Sequence, residues 1–201
     1  MDNSNKNSKN VTNDKIYAGI LIRILSGLID FLVFVIIQSI VFLILLIVQK
    51  IPKNYWIIYE LIVPLYYFIY NITIPQYFGG TLGKILLKIK ILKTNYQKIG
   101  FKESFLRYLF DLLWYLYISI VNIVIVINTP DELYNEFKTF SEWVNYSNSN
   151  EPKITIILLI AINIWIFSEY LVLLLNKRKR GLQDYLAGTI IVNEKYYKNI
   201  I

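Results

Sequence analysis

Four acidic residues interrupt otherwise apolar stretches of the sequence: Asp30, Glu60, Asp111 and Glu169. An ionised side chain at the centre of a bilayer costs about 2.5–3.5 kcal/mol on insertion scales. Each acid therefore needs a cationic partner, a water-filled cavity or a bound proton. Acids in such positions are candidates for an ion or proton pathway, so their partners are the next residues to identify.

Two of these acids follow an arginine at helical spacing. Arg23 lies seven residues before Asp30, and Arg107 lies four residues before Asp111. Seven residues is about two helical turns and four is about one, so each acid shares a helix face with an arginine. Arginine keeps its charge in apolar surroundings and binds a carboxylate with two donors. The spacing predicts the ion pairs Arg23–Asp30 and Arg107–Asp111, although snorkelling to the lipid headgroups explains the arginines equally well.

Three of the acids are expected in the same third of the membrane. At about 1.5 Å per residue, Asp30 and Asp111 lie roughly 10 Å into their spans, and Glu169 precedes Lys177 by eight residues. Arg107, Asp111 and Glu169 form a candidate polar cluster inside the membrane. Such a cluster is either a structural network of salt bridges or the inner mouth of an ion or proton pathway, and the sequence leaves both interpretations open.

Composition defines the class of protein that holds these residues. The chain has 201 residues, of which 56% are hydrophobic, and its apolar stretches near twenty residues are too long for a soluble domain of this size to bury. Cysteine and histidine are absent, which excludes disulfides, Cys/His zinc sites and Ser-His or Cys-His catalysis. We expect no catalytic residues, no cofactor and no metal site.

The hydropathy pattern predicts an all-α membrane protein with four transmembrane helices and a small cytoplasmic β element. We expect a disordered polar tail over 1–16, a membrane domain over 17–194 and a second tail over 195–201. The spans are predicted at about 20–48, 55–74, 105–128 and 154–175.

The distribution of basic residues predicts the orientation. Seventeen of the 21 lysines and arginines fall in the N-terminal tail, the segment 75–104, the C-terminal region from 176 onward, and the adjoining ends of spans one and three. By the positive-inside rule both termini are cytoplasmic, in a cytoplasmic (inner) membrane. These positions also explain the net charge of +7 without nucleic acid as a partner. The loop 129–153 is then external, and its apolar spacing predicts a short amphipathic helix.

The predicted cytoplasmic segments 75–104 and 176–194 carry two similar patterns. GGTLGKILLKIKILK (79–93) contains Thr81, Gly83 and Lys84 and ends in alternating lysine and isoleucine, which predicts a strand at Ile89 to Leu92. RGLQDYLAGTIIVN (180–193) has Arg180 at its start and Asp184 in a short helical turn. Gly188 is expected to end that turn, and Thr189 to Val192 to form a second strand beside the first. The Walker spacing of a phosphate loop is absent.

Together these residues resemble the RDD family of small integral membrane proteins. The family is named for an arginine at the start of its first membrane helix, an aspartate within that helix and a second aspartate near the end of the domain; Arg23, Asp30 and Asp184 match them. The runs at 81–84 and 180–192 are also similar to family segments. The residue before the second aspartate is often histidine in the family and is Gln183 here. The resemblance implies a membrane domain, with transport of an unidentified ligand as the usual suggestion.

Two functions of different classes follow. The first is transport of an ion or small solute along a path lined by Asp30, Asp111 and Glu169, in a homo-oligomer because four helices form a thin wall. The second is a non-transporting scaffold whose charges fix helix packing, and whose basic face binds a membrane or cytoplasmic protein or anionic lipid. Catalysis is less well supported, because an acid paired with arginine has a lowered pKa.

Overall fold

The computed structural model describes residues 16–47, 53–137 and 140–197. The predicted tails therefore fall largely outside the described residues, as does Val48 at the predicted end of the first span. Among the described residues, four helical segments are long and apolar enough to cross a membrane. This confirms the predicted fold class of four transmembrane helices with a small sheet.

The first two spans are built differently from each other. Helix α1 (Ile20–Ile47) is continuous, whereas the second span is α2 (Lys53–Tyr67), a π-helical turn (Phe68–Thr73) and α3 (Ile74–Phe78). The amide of Ile74 donates to the carbonyl of Ile69, five residues back. A wide turn of this kind often marks a functional position, and here it contains Tyr70, a residue that contacts Asp30.

The chain then forms α4 (Leu82–Leu86) and β1 (Ile89–Lys93), before the third span, α5 (Phe101–Asn128). Helix α5 therefore begins four residues before the predicted start of the span. The fourth span, α8 (Ile154–Leu175), has the predicted bounds. The apolar side chains of these spans are largely exposed on the protein surface, as expected for helices that face lipid.

The loop between the third and fourth spans forms two short helices where one was expected, α6 (Asp131–Glu136) and α7 (Phe140–Ser149). The rings of Trp56 and Trp143 lie 6.4 Å apart, and Tyr134 packs edge-on against Trp143 at 5.3 Å. Both helices pack against Trp56 in the first turn of α2. We call this side of the molecule the loop end.

At the opposite end of the bundle, α8 is followed by α9 (Leu182–Ala187), β2 (Thr189–Asn193) and α10 (Glu194–Tyr197). Strands β1 and β2 pair antiparallel, with Ile91 opposite Ile191 and Lys93 opposite Thr189. This confirms the predicted strand pair. Ile91 and Ile191 are both almost fully buried, so the sheet is held by a small apolar core of its own. We call this side the sheet end.

Helix α9 is short because both of its ends are fixed by glycines. Gly181 precedes it, and its backbone amide donates to the side chain of Asp184 at 3.1 Å. Gly188 ends it in the left-handed conformation, with φ +65°, as predicted from the sequence. The chain then turns directly into β2, which places α9 between the sheet and the ends of the spans.

Candidate functional site

Asp184 is the centre of a buried ion cluster at the sheet end. Its side chain is fully buried and accepts a hydrogen bond from Nη1 of Arg23 at 2.6 Å. Its other carboxylate oxygen accepts from Nη1 of Arg107 and from the hydroxyl of Thr189 at 3.1 Å. Nη1 of Arg107 also donates to the Thr189 hydroxyl at 2.9 Å. We call Arg23, Arg107, Asp184 and Thr189 the Asp184 cluster.

Arg180 supports the backbone around this cluster. Its Nε donates to the carbonyl of Thr189 at 3.0 Å, and its Nη2 donates to the carbonyl of Asp184 at 3.1 Å. The guanidinium also lies 4.1 Å from the ring centroid of Tyr185. Arg180 thereby ties the last turn of α9 to the first residue of β2.

The ion pairs predicted within single helices, Arg23–Asp30 and Arg107–Asp111, are wrong, because both arginines bind Asp184. Side chains on a helix tilt toward its N-terminus, and each arginine precedes its acid. Helices α1 and α5 both begin at the sheet end, so Arg23 and Arg107 extend away from their acids and toward α9. Two arginines from different spans thus meet one carboxylate on a third element.

The arginines determine the charge of Asp184. Burial alone would raise the pKa of this carboxyl, but the guanidinium groups of Arg107 and Arg23 outweigh burial and hold the pKa well below its ordinary value. The carboxylate is therefore ionised at neutral pH. Removing one partner of such a buried pair leaves an uncompensated charge, which costs about 3–5 kcal/mol.

Asp30 lies in a separate cluster that joins α1 to α4. One of its oxygens accepts from the hydroxyl of Tyr70 and the amide of Gly83, both at 2.7 Å. The other accepts from the hydroxyl of Thr81 at 2.6 Å and lies 3.5 Å from Nζ of Lys84. Four donors thus satisfy this carboxylate. We call Asp30, Tyr70, Thr81, Gly83 and Lys84 the Asp30 cluster.

Gly83 is required in this cluster by a close approach of the backbone. A Cβ atom built on Gly83 would overlap the carbonyl oxygen of Ser26 and crowd the carboxylate of Asp30. Helix α4 therefore lies directly against α1. Thr81, Gly83 and Lys84 were identified from the sequence as one motif. They share a structural role, because each of them contacts Asp30.

Asp111 and Glu169 face a cavity of about 470 Å³ between α5 and α8, which we call the α5–α8 cavity. Asp111 accepts a hydrogen bond from the hydroxyl of Tyr67 at 3.0 Å. Both oxygens of Glu169 accept hydrogen bonds from Gln183. The side-chain nitrogen of Gln183 donates to one oxygen at 2.7 Å, and its backbone nitrogen donates to the other at 2.9 Å. The remaining polar and aromatic walls include Trp114, Tyr115, Asn163, Trp165 and Tyr170.

The cavity and the Asp184 cluster form one electrostatic unit. Glu169 interacts electrostatically with both Arg23 and Arg107, and it binds Gln183, the residue before Asp184. Of the three carboxylates in this unit, those of Asp184, Glu169 and Asp111, that of Asp111 accepts the fewest hydrogen bonds among the described residues.

Some participants could not be identified from sequence, and one candidate lies elsewhere. Tyr67 and Tyr70 were missed because a tyrosine in an apolar span has no distinguishing spacing. Gln183 was noted only as a departure from a family pattern, yet it links α9 to Glu169. Glu60 lies toward the loop end, where it accepts from Asn122 at 3.0 Å. Within the described part of the chain, no group of three metal-ligating side chains is present.

A comparison with family models decides the family. The model of the RDD family matches residues 17–188, which is most of the chain. The chain belongs to the RDD family. Neither the curated proteins nor the solved structures gave a match. In this RDD-family protein, Arg23 and Asp184 bind each other, whereas Asp30 lies in a cluster of its own.

Proposed function

We propose that this RDD-family membrane protein transports an ion or a small solute, specifically a cation, and that the path passes through the α5–α8 cavity. The observation that carries the proposal is the position of Asp111. This acid lies inside a membrane span, faces an open cavity and has a single hydrogen-bond donor among the described residues, Tyr67. Polar and ionisable residues that face a cavity within the membrane are typical of substrate and ion pathways.

The hydrogen bonds around the cavity support a cationic substrate. Both oxygens of Glu169 accept from Gln183, whereas Asp111 accepts from Tyr67 through one oxygen. A carboxylate with spare acceptors inside a membrane span can bind a cation or a proton. A cation that enters the cavity fills these acceptors, and its exchange with a proton or a second cation allows it to leave.

Asp30 holds helices together and lies outside the proposed path. Its four donors, which include the ammonium of Lys84, leave no excess charge and tie α1 to α4. The path proposed from sequence, through Asp30, Asp111 and Glu169, is therefore reduced to Asp111 and Glu169.

The proposal includes an orientation and an assembly. We place the sheet end, with its many lysines and arginines, on the cytoplasmic side of an inner membrane, and the loop end outside. Four helices enclose little space by themselves, so we propose that copies of the chain associate and close the outer wall of the path.

Flux through purified protein in liposomes tests the proposal. Wild-type protein is expected to conduct or exchange at least one cation from a panel of Na⁺, K⁺, H⁺ and choline, and Asp111→Asn is expected to abolish that flux. Glu60→Gln is the matched control, because it neutralises an acid within a span and Glu60 is not among the residues that line the cavity. Flux that is equal in wild type and Asp111→Asn would exclude the cavity as the path.

A scaffold function is the second candidate, and the Asp184 cluster favours it. The ion pairs of Asp184 with Arg23 and Arg107 hold α1, α5 and α9 together. Such a rigid, basic sheet end fits a surface that binds a partner protein or anionic lipid. Two results together would favour this function. No cation of the panel would show flux, and the Asp111→Asn variant would replace the wild-type protein fully in cells.

A further inference from the structure

The walls of the α5–α8 cavity are mostly aromatic and aliphatic. Trp114, Tyr115, Trp165 and Tyr170 line it together with Ile162 and other apolar side chains. Its volume of about 470 Å³ falls in the range of sites for small organic molecules, about 300–1,000 Å³. A cavity of this size and lining is larger and more apolar than a dehydrated inorganic ion requires.

The supply of oxygen ligands points in the same direction. Hard inorganic cations are held by about six or more oxygen atoms. In this cavity both oxygens of Glu169 already accept from Gln183, and one oxygen of Asp111 accepts from Tyr67. The two carboxylates of the cavity together hold four oxygens, fewer than the about six that replace the hydration shell of a hard cation.

An organic cation needs fewer oxygen ligands from the protein than a metal ion does. A substituted ammonium group is stabilised by one carboxylate and by nearby aromatic rings, among which tryptophan is the strongest partner. Its apolar substituents are stabilised by removal from water against aliphatic and aromatic walls. The cavity offers one underused carboxylate on Asp111, two tryptophans and an apolar surface.

We propose that the α5–α8 cavity binds a monovalent organic cation, with a substituted ammonium group near Asp111 and an apolar body against Trp114 and Trp165. This inference rests on the proposed function of the same cavity, because it names the class of cation that the path accepts. Size and lining select the organic cation over Na⁺ or K⁺, and the carboxylate of Asp111, with its spare acceptors, selects it over a neutral molecule of equal shape.

Binding of tritiated choline to the purified protein, measured by scintillation proximity, tests the inference. Unlabelled choline is expected to displace the label, whereas its neutral isostere 3,3-dimethylbutan-1-ol and NaCl at equal concentration are not. Equal competition by the neutral isostere would contradict the role of charge. Absence of displaceable binding to wild-type protein would overturn the inference.

Two variants separate the contribution of the Asp111 charge to choline binding from the contribution of the aromatic cavity walls. Asp111→Asn is expected to weaken choline binding about thirtyfold or more, as expected for loss of a buried charge partner. Trp165→Leu is expected to weaken it about twofold to thirtyfold, while Phe167→Leu, at an exposed position on the same helix, leaves it unchanged. If Asp111→Asn does not fold, Trp165→Leu still decides, because wild-type affinity in that variant would contradict binding in the cavity.

The binding assay and the flux assay fail independently. Flux of Na⁺ that depends on Asp111, without choline binding, would overturn the organic-cation inference and leave the proposed function standing. Choline binding that depends on Asp111, without flux of any cation, would support the site and contradict transport.

Discussion

The Asp184 cluster and the α5–α8 cavity hold neighbouring carboxylates in opposite conditions. Asp184 is fully buried and receives donors from two arginines, a threonine and a backbone amide. Asp111 receives one tyrosine hydroxyl and faces open space. A carboxylate saturated with donors fixes the positions of its neighbours, whereas one with spare acceptors can bind something else. The difference separates the acid that builds the fold from the acid available to a ligand.

The largest loss of stability is expected for Asp184→Ala. This variant leaves the guanidinium groups of Arg23 and Arg107 buried without their carboxylate, and a single broken buried pair already costs about 3–5 kcal/mol. The melting temperature in detergent is expected to fall furthest for this variant, and the α1–α5–α9 junction to loosen. A melting temperature equal to that of the wild type would show that the cluster does not hold the sheet end.

Arg107→Ala is expected to follow, with a loss of about 3–5 kcal/mol, because Arg107 is buried and binds both Asp184 and Thr189. Lys98→Ala is the control, since Lys98 is exposed on the sheet end and its removal is expected to cost about 0–1 kcal/mol. Melting curves of the two variants in the same detergent make the comparison. Equal curves would indicate that Arg107 only reaches for lipid headgroups.

Gly83→Ala is expected to destabilise the contact of α4 with α1 by about 1–3 kcal/mol, because the added Cβ overlaps Ser26 and crowds Asp30. Gly27→Ala is the matched control on α1, where a Cβ meets nothing within 4 Å, and it is expected to be neutral or slightly stabilising. Thermal melting again gives the order. A Gly83→Ala protein as stable as Gly27→Ala would contradict the close approach.

Asp111→Asn is expected to change stability little, within about 1 kcal/mol, because the amide oxygen still accepts from Tyr67 and a neutral amide costs less to bury than a carboxylate. Its melting temperature is expected near or above that of the wild type, while flux is lost and choline binding is weakened about thirtyfold or more. This outcome would set Asp111 apart from Asp184. A collapse similar to that of Asp184→Ala would instead make Asp111 a structural residue.

The smallest effect is expected from pH. The lowered pKa of Asp184 means that its stabilisation is fully present above its ordinary value of about 3.9 and is lost only as the pH falls below that value. The difference in melting temperature between wild type and Asp184→Ala is therefore expected to be the same at pH 7.5 and pH 5. A difference that shrinks by pH 5 would show that the arginines do not hold the charge of Asp184.

The sequence predicts local features of this molecule well. Hydropathy identified the four spans, and the alternating lysines and isoleucines of 88–92 identified β1, because both patterns depend on neighbours along the chain. Gly188 was identified as the end of α9 for the same reason. The resemblance to the RDD family singled out Arg23, Asp30 and Asp184, and the family is confirmed.

The partners within the site could not be predicted in the same way. Arg23 lies 161 residues from Asp184 in sequence, and spacing within a helix pointed to Asp30 instead. Arg23 and Arg107 extend toward the N-terminal ends of α1 and α5. The carboxylate that they bind there lies on α9, which is distant from both helices in sequence. The cavity is equally inaccessible to sequence analysis, because it is the space that α5 and α8 leave between them.

The distance in sequence between Arg23 and Asp184 also has a consequence for biogenesis. A ribosome delivers Arg23 and Arg107 to the membrane before Asp184 is synthesised, so the nascent chain holds two arginines whose final counterion does not yet exist. Arg23 and Arg107 therefore reach their final contacts only after α9 has been synthesised, and the junction of α1, α5 and α9 cannot form earlier.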